Sequence, residues 1–177
     1  MASYNMIFAG FGGQGVLFAG KVVAYAGLID DKEVSWLPSY GPEMRGGTAN
    51  CSVCLSDAPI GSPLVTEPDI LVAMNGPSFD KFIDTVRPGG KVVVDSTLVD
   101  RENHRDDVEL FRVPATRLSQ EEDLASLANM ILLGKVLKES RFIGLGTVEK
   151  SVGKCVPASK QHLVQPNLRA IKLGMSL

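Results

Sequence analysis

Residues 10–15 read GFGGQG, and Gly10, Gly12 and Gly15 satisfy G-x-G-x-x-G. The chemistry of that spacing belongs to the backbone. Residues without a Cβ let amide N–H groups crowd onto an anion, and the start of a following helix adds its positive end. Gly10, Gly12, Gly13, Gln14 and Gly15 are therefore either a seat for a phosphate-bearing ligand or a tight turn with a purely structural purpose. Classical NAD binding asks for more: an acidic residue about 20 positions on, at the carboxyl end of the second strand, to hold the ribose hydroxyls. That end reads SWLPSY; Glu33 lies before the strand, and Asp30 and Asp31 sit in the preceding turn. The fingerprint is half present. Gln14 puts a long amide where a turn needs none. It either caps the loop's own backbone or presents its amide to a ligand or a partner subunit.

A second constellation is PSYGPEMRGGTAN, residues 38–50. Proline stiffens it and glycine frees it, and it carries Tyr40, Glu43, Arg45 and Asn50. Such a loop suits a shaped contact surface, and Tyr and Arg are favoured at interfaces. The plainer alternative is a solvated loop whose Glu43–Arg45 pair is worth little. Asn75, Asp95 and Ser96 close two expected strands, on the edge where an open α/β sheet turns its carboxyl ends toward a ligand crevice. Asp95 is either a polar anchor of that crevice or a turn and N-cap residue. Other chemistries are missing. Neither His104 nor His162 has companions at metal-ligand spacing, and His104 lies in the charged stretch DRENHRDD. There is no G-x-S-x-G elbow and no G-x-x-x-x-G-K-[ST] loop. No catalytic or metal-binding residue is assigned, which points to one subunit of a larger enzyme.

These residues need a frame of alternating strands and helices. Tyr4–Ala9 is a short apolar run that fits a buried strand, and Val16–Leu28 fits a helix. Strand, glycine turn and helix form the βα opening of a doubly wound fold. Further strands are expected at Glu33–Leu37, Thr48–Leu55, Ile70–Met74, Lys91–Asp95 and Glu109–Val113. Between the fourth and fifth, GPSFDKFIDTVRPGG reads as a helix with Pro77 in its first turn and Phe79, Phe82, Ile83 and Val86 on one face. SQEEDLASLANMILLGKVLKES reads as one long helix, with Ser119 and Glu122 at capping-box spacing and a stripe of Leu124, Leu127, Ala128, Ile131 and Leu132. Gly144 and Gly146 should end it. Two helical segments follow, the last delayed or kinked by Pro166. The expectation is an α/β fold, a Rossmann-like three-layer sandwich with a mostly parallel sheet, as a single domain over residues 1–177.

Composition agrees with a globular protein: 177 residues, 45% hydrophobic, 21% charged, formal net charge −2. That balance does not advertise nucleic acid or an anionic membrane as a partner. The start, MASYNMIFAG, lacks the pattern of a signal peptide, so a cytoplasmic location is expected. Three cysteines are too few for a four-cysteine iron–sulfur site. Cys51 and Cys54 form C-x-x-C on an expected strand, where residues three apart point to opposite faces. Buried, inert thiols are the expectation.

AGFGGQGVLFAGKVVAYAG, then SYGPEMRGGTANCSVCLSD, EPDILVAMN with FDKF, PGGKVVVDSTLV and ANMILLGKV together resemble the gamma subunit of 2-oxoacid:ferredoxin (acceptor) oxidoreductases. The resemblance spans residues 4–140 and is weaker in the C-terminal helices. The Tyr-Gly-Pro-Glu form of the second loop is most like the 2-oxoglutarate branch. The resemblance implies a pyruvate/ketoisovalerate oxidoreductase gamma-type domain in an assembly that oxidatively decarboxylates a 2-oxoacid to an acyl-CoA and CO2. Thiamine diphosphate, Mg2+ and [4Fe-4S] clusters would lie in partner subunits. Those partners are alpha and beta subunits, with a ferredoxin-like delta subunit as a further one, and ferredoxin as electron acceptor. This chain would be inactive alone, would dock on the catalytic subunits and would help receive coenzyme A. Its cofactor-binding residues would be Gly10, Gly12, Gly13, Gln14, Gly15, Asn75, Asp95 and Ser96; its interface residues would be Tyr40, Glu43, Arg45 and Asn50. A purely structural assembly module and a nucleotide-binding α/β domain remain the alternatives.

Overall fold

A computed structural model describes residues 3–39 and 48–177. Six strands form one sheet: β1 (Ser3–Phe11), β2 (Glu33–Ser39), β3 (Thr48–Ser56), β4 (Ile70–Ala73), β5 (Lys91–Asp95) and β6 (Glu109–Val113). Their order is β2-β3-β1-β4-β5-β6. β1, β4, β5 and β6 pair in parallel, whereas β3 runs antiparallel to both β1 and β2. The sheet is mostly parallel, as expected, with β3 as the single reversed strand. Pro38 lies on the edge strand β2, where a missing N–H is tolerated.

Helices cover both faces, giving three layers. One face carries α1 (Val16–Ile29), α3 (Ala115–Glu121), α4 (Ala128–Ser140), α5 (Leu145–Cys155) and α6 (Val164–Ser176); the other carries α2 (Gly76–Phe82) and the 3-10 turn Ile83–Thr85. The two-residue period of the strands divides the core accordingly. Met6, Phe8, Ile70, Val72 and Val93 pack under α1 and α4. Ile7, Ala9, Leu71, Ala73, Val92 and Val94 pack against Phe79, Ile83 and Val86 of the α2 segment. Among the described residues no helix is long and apolar enough to cross a membrane.

Three local expectations change. The stretch from 119 to 140 is not one helix. Ser119 sits inside α3, where its hydroxyl donates to Thr116 O at 2.8 Å, so the capping box does not form. The chain then breaks at 122–127, with Asp123 (φ 54°) and Ser126 (φ 65°) left-handed, before α4 begins. Leu124 anchors this break in the core, 2% exposed. Next, α4 ends at Arg141, which takes the left-handed C-cap (φ 51°), so Gly146 lies inside α5 rather than in the break. Last, Pro166 occupies the first turn of α6, where its missing N–H has no intrahelical role, and introduces no kink. The preceding Ala158–Leu163 is a 3-10 helix.

α4 and α6 cross closely. A Cβ on Gly134 would fall on the carbonyl oxygen of Ile171, and one on Gly174 on that of Ile131. Only glycine at both positions lets the two backbones approach this far. The closeness matters to the site because α4 begins beside the glycine loop.

Candidate functional site

The loop leaves β1 and enters α1. Gly10 is still buried at the end of the strand, Gly12 and Gly13 are exposed, and Gln14 and Gly15 are half-buried. Gly13 (φ 91°) and Gly15 (φ 76°) are left-handed, and Gly15 is the N-cap of α1 without a side-chain cap. The first-turn amides of a 14-residue helix therefore open onto the loop.

Gln14 takes the first of its two alternatives. Its Oε1 accepts from the Phe11 N–H at 2.6 Å, and its Nε2 donates to Met74 O at 3.1 Å. The side chain thus closes the loop on itself and fastens it to the end of β4. The neighbouring Asn75 is 2% exposed and caps α2, its Oδ1 accepting from the Ser78 N–H at 2.8 Å. Its amide also reaches Gln14 Oε1 at 3.5 Å.

Asp95 takes the turn-and-cap role. It is fully buried and accepts from Thr97 N at 3.1 Å, from Thr116 N at 3.2 Å and from Thr116 Oγ1 at 2.5 Å. It ties the end of β5 to the start of α3. Ser96 follows, half-buried, its N–H donating to Val113 O at 2.8 Å. Gly12 and Gly13, flanked by half-buried Gln14 and Gly15, therefore form the open rim of the crevice, Gly10 is buried in the strand, and Asn75 and Asp95 turn inward to hold the elements that frame it.

Three adjoining hollows surround the loop. One of about 340 Å³ is lined by Gly13, Gln14, Met74, Thr116, Ser119 and Ser126, among others. One of about 300 Å³ runs from Phe11 and Gly12 past Phe18 to Ala49. The third, about 360 Å³, lies behind Gly15 and is bounded by the starts of α4 and α6. Asn129 links the third to the loop by donating from Nδ2 to Gly15 O at 2.9 Å. Asn129, Asn167, Thr116 and Lys160 were not singled out from the sequence. Asn129 had a signal: it is a polar residue among apolar ones in LANMILL.

Asn50 lies elsewhere. It is half-buried on β3 and lines a separate hollow of about 420 Å³ with Leu37, Pro38, Ser52, Leu64 and Phe82. Tyr40, Glu43 and Arg45 lie outside the described residues. Cys51 and Cys54 are buried on opposite faces of β3, and Cys155 is buried in α5. Burial pushes the Cys51 thiol up to about 12, the Trp36 side chain pulling the other way. Exposed His104 pairs with Asp84 at 2.6 Å.

No carboxylate ends β2, whose last residue is Ser39. The frame can hold an anion on backbone amides but has no ribose clamp at that position.

Known proteins share this architecture. A 2-oxoglutarate synthase subunit KorC of Methanocaldococcus jannaschii is 37% identical over 94% of this chain and 89% of its own length. A ketoisovalerate oxidoreductase subunit VorA of Methanothermobacter thermautotrophicus is 39% identical over 94% of this chain, which spans only 34% of that relative. The structure of a keto/oxoacid ferredoxin oxidoreductase gamma subunit from Geobacter sulfurreducens superposes with a TM-score of 0.83 at 28% identity, covering 98% of this chain and 96% of that one. Residues 5–177 match the description "Pyruvate ferredoxin/flavodoxin oxidoreductase", and the chain belongs to that family, in the form of its gamma subunits.

Proposed function

We propose that this chain is the gamma subunit of a 2-oxoacid:ferredoxin oxidoreductase acting on 2-oxoglutarate. The assembly would join the acyl group of the oxoacid to coenzyme A, release CO2 and pass two electrons to ferredoxin. Likeness to a KorC subunit over nearly the whole of both chains supports the substrate. The chain's own part is binding and docking. The observation that carries the binding role is the exposed Gly12–Gly13 rim at the uncapped start of α1, with no acid at the end of β2. Such a seat suits the pyrophosphate of coenzyme A, whose ribose carries its own phosphate, better than it suits NAD.

Thiamine diphosphate, Mg2+ and the [4Fe-4S] clusters belong to the alpha, beta and delta partners in this reading, and decarboxylation and electron transfer proceed there. Here the loop amides would hold the pyrophosphate, Gln14 would keep those amides aimed, and Asn75, Asp95 and Ser96 would brace the strand ends around them. The 38–50 segment, with Tyr40, Glu43, Arg45 and Asn50, would pack on the catalytic subunits. The internal bonding of Gln14 favours one competing reading, a loop that is only a structural turn.

Co-expression with the genomic neighbours, capture on this subunit and assay of viologen reduction by a panel of 2-oxoacids tests the whole. The expected result is coenzyme A-dependent activity with 2-oxoglutarate. Capture of no oxidoreductase subunits would sink the proposal. Gly13→Val then separates the two readings of the loop. An intact complex with weakened coenzyme A binding supports the phosphate seat, and unchanged affinity supports the structural turn.

A further inference from the structure

The outer face of α1 is unlike that of an ordinary surface helix. VLFAGKVVAYAGLI carries one charged residue in 14, Lys21, so the helix is apolar all round, a composition that belongs to a helix covered on every side. Two flanks are covered. Gly20 lies against Trp36 of β2, and Gly27 against Val34. Val22 faces α5, whose Ser151 hydroxyl donates to Val22 O at 2.6 Å. Among the described residues nothing covers the third flank. Leu17, Lys21, Tyr25 and Leu28 fall at i, i+4, i+8 and i+11 and share one stripe. Leu17 and Lys21 are half-buried, Tyr25 is 39% exposed and Leu28 55%. A single exposed leucine is ordinary on a protein surface, but an aligned apolar row on such a helix is not.

The stripe has a basic border. Lys21 Nζ lies 5.7 Å from the Tyr25 ring centroid. On α5, Lys150 and Lys154 are exposed, each three residues after a hydroxyl that bonds to α1 or its C-cap, Thr147 to Asp30 and Ser151 to Val22. Among the described residues none of these three lysines forms an ion pair. We propose that the stripe docks a catalytic partner subunit of the oxidoreductase, through an apolar surface whose rim carries carboxylates opposite these lysines. A gamma subunit gives up part of its surface to its assembly, and such interfaces are apolar at the centre and polar at the rim. The stripe is also continuous with the 38–50 segment, because Leu17 shares a hollow with Phe11 and Ala49. From Leu17 to Leu28 it runs about 16 Å along the helix. A second copy packed through the same stripe would set Lys21, near its middle, against Lys21. The inference rests on the gamma-subunit reading and adds a second docking surface with the chemistry of its partner.

The test is capture of the co-expressed catalytic subunits on wild type, on Lys21→Glu and on the double variant Tyr25→Gln, Leu28→Gln. Tyr25 and Leu28 belong to neither core cluster, and glutamine is a good helix former, so the double variant should melt with the wild type. Both variants should hold the catalytic subunits at least tenfold more weakly. Wild-type binding should weaken as salt is raised, and Lys21→Glu should flatten that dependence. Wild-type affinity in both variants would overturn the inference. So would a dimer of this chain alone that the double variant dissolves while capture stays intact, because the stripe would then belong to a second copy. If the wild type captures no oxidoreductase subunits, the gamma-subunit reading itself falls and the inference goes with it.

Discussion

Removing the side chain of Gln14 should loosen the protein before it touches any ligand. Gln14→Ala deletes the bond from Phe11 N–H to Oε1 and the bond from Nε2 to Met74 O. A net contribution of roughly 0.5–1.5 kcal/mol for each gives about 2 kcal/mol in total. The two halves are unequal. Phe11 is 38% exposed, so water can reach its freed N–H, whereas Met74 is 2% exposed and its carbonyl is left in a drier place. Most of the cost therefore belongs to the Met74 bond. For a chain of this size, about 2 kcal/mol lowers the melting temperature by about 4–8 °C. Gln14→Glu divides the two bonds. It keeps an acceptor for Phe11 but turns an oxygen toward Met74 O, and it should lose most of the same stability. Calorimetric or circular-dichroism melts of wild type and both variants, without ligand, are the assay. A Gln14→Ala protein that melts with the wild type, but has lost coenzyme A affinity, would refute the reasoning. Gln14 would then face the ligand, and its bonds to Phe11 and Met74 would carry no weight.

Other outcomes follow from the same packing. Gly134→Ala should destabilise the protein by about 2 kcal/mol or more in urea titrations, because the added methyl falls on the Ile171 carbonyl and overpacks the α4–α6 crossing. A gain in stability, as expected for Gly to Ala in an open helix, would mean the helices can separate freely. Asp95→Asn leaves one acceptor oxygen where two now serve three donors, and should cost about 1–3 kcal/mol by the same titration; full stability would place Asp95 outside that network. Cys51 should resist a disulfide reagent at pH 8 until the protein unfolds. Its thiol is held neutral up to about 12 while an ordinary one ionises near 9.0. The unfolded chain therefore loses this proton first, and stability should fall as pH rises from 9.0 to about 12. In Cys51→Ala that fall should shrink; an unchanged slope would assign it to other groups.

The strands were legible because each apolar run is short and bounded by Gly, Pro or Asp, and the structure moves their ends by only a residue or two. The long helix was not. SQEEDLASLANMILL offers helix formers, a capping-box spacing and an apolar stripe at once, and nothing in it announces a break. The break rests on left-handed backbone at Asp123, a residue type that tolerates it without demanding it, and at Ser126, whose type gives no sign of it. Burial of Leu124 and docking of α4 on the sheet settle the matter, and both are tertiary effects. The same contest worked the other way at Pro166, which reads as either a delayed start or a kink only until the helix start is located two residues before it.

The site divides along the same line. The glycine loop is backbone chemistry, and backbone chemistry is written in glycine spacing, so its position between strand and helix could be read directly. Gln14 could be flagged as an oddity but not assigned, because its partner Met74 lies 60 residues away. Asn129 is further still, 114 residues from the Gly15 carbonyl it holds. In a helical stripe a single asparagine looks like an imperfection of the core. It becomes informative only when its amide is found bonded to the loop. A side chain's hydrogen bond is a property of its surroundings, and those surroundings exist only once α1 and α4 have been brought together.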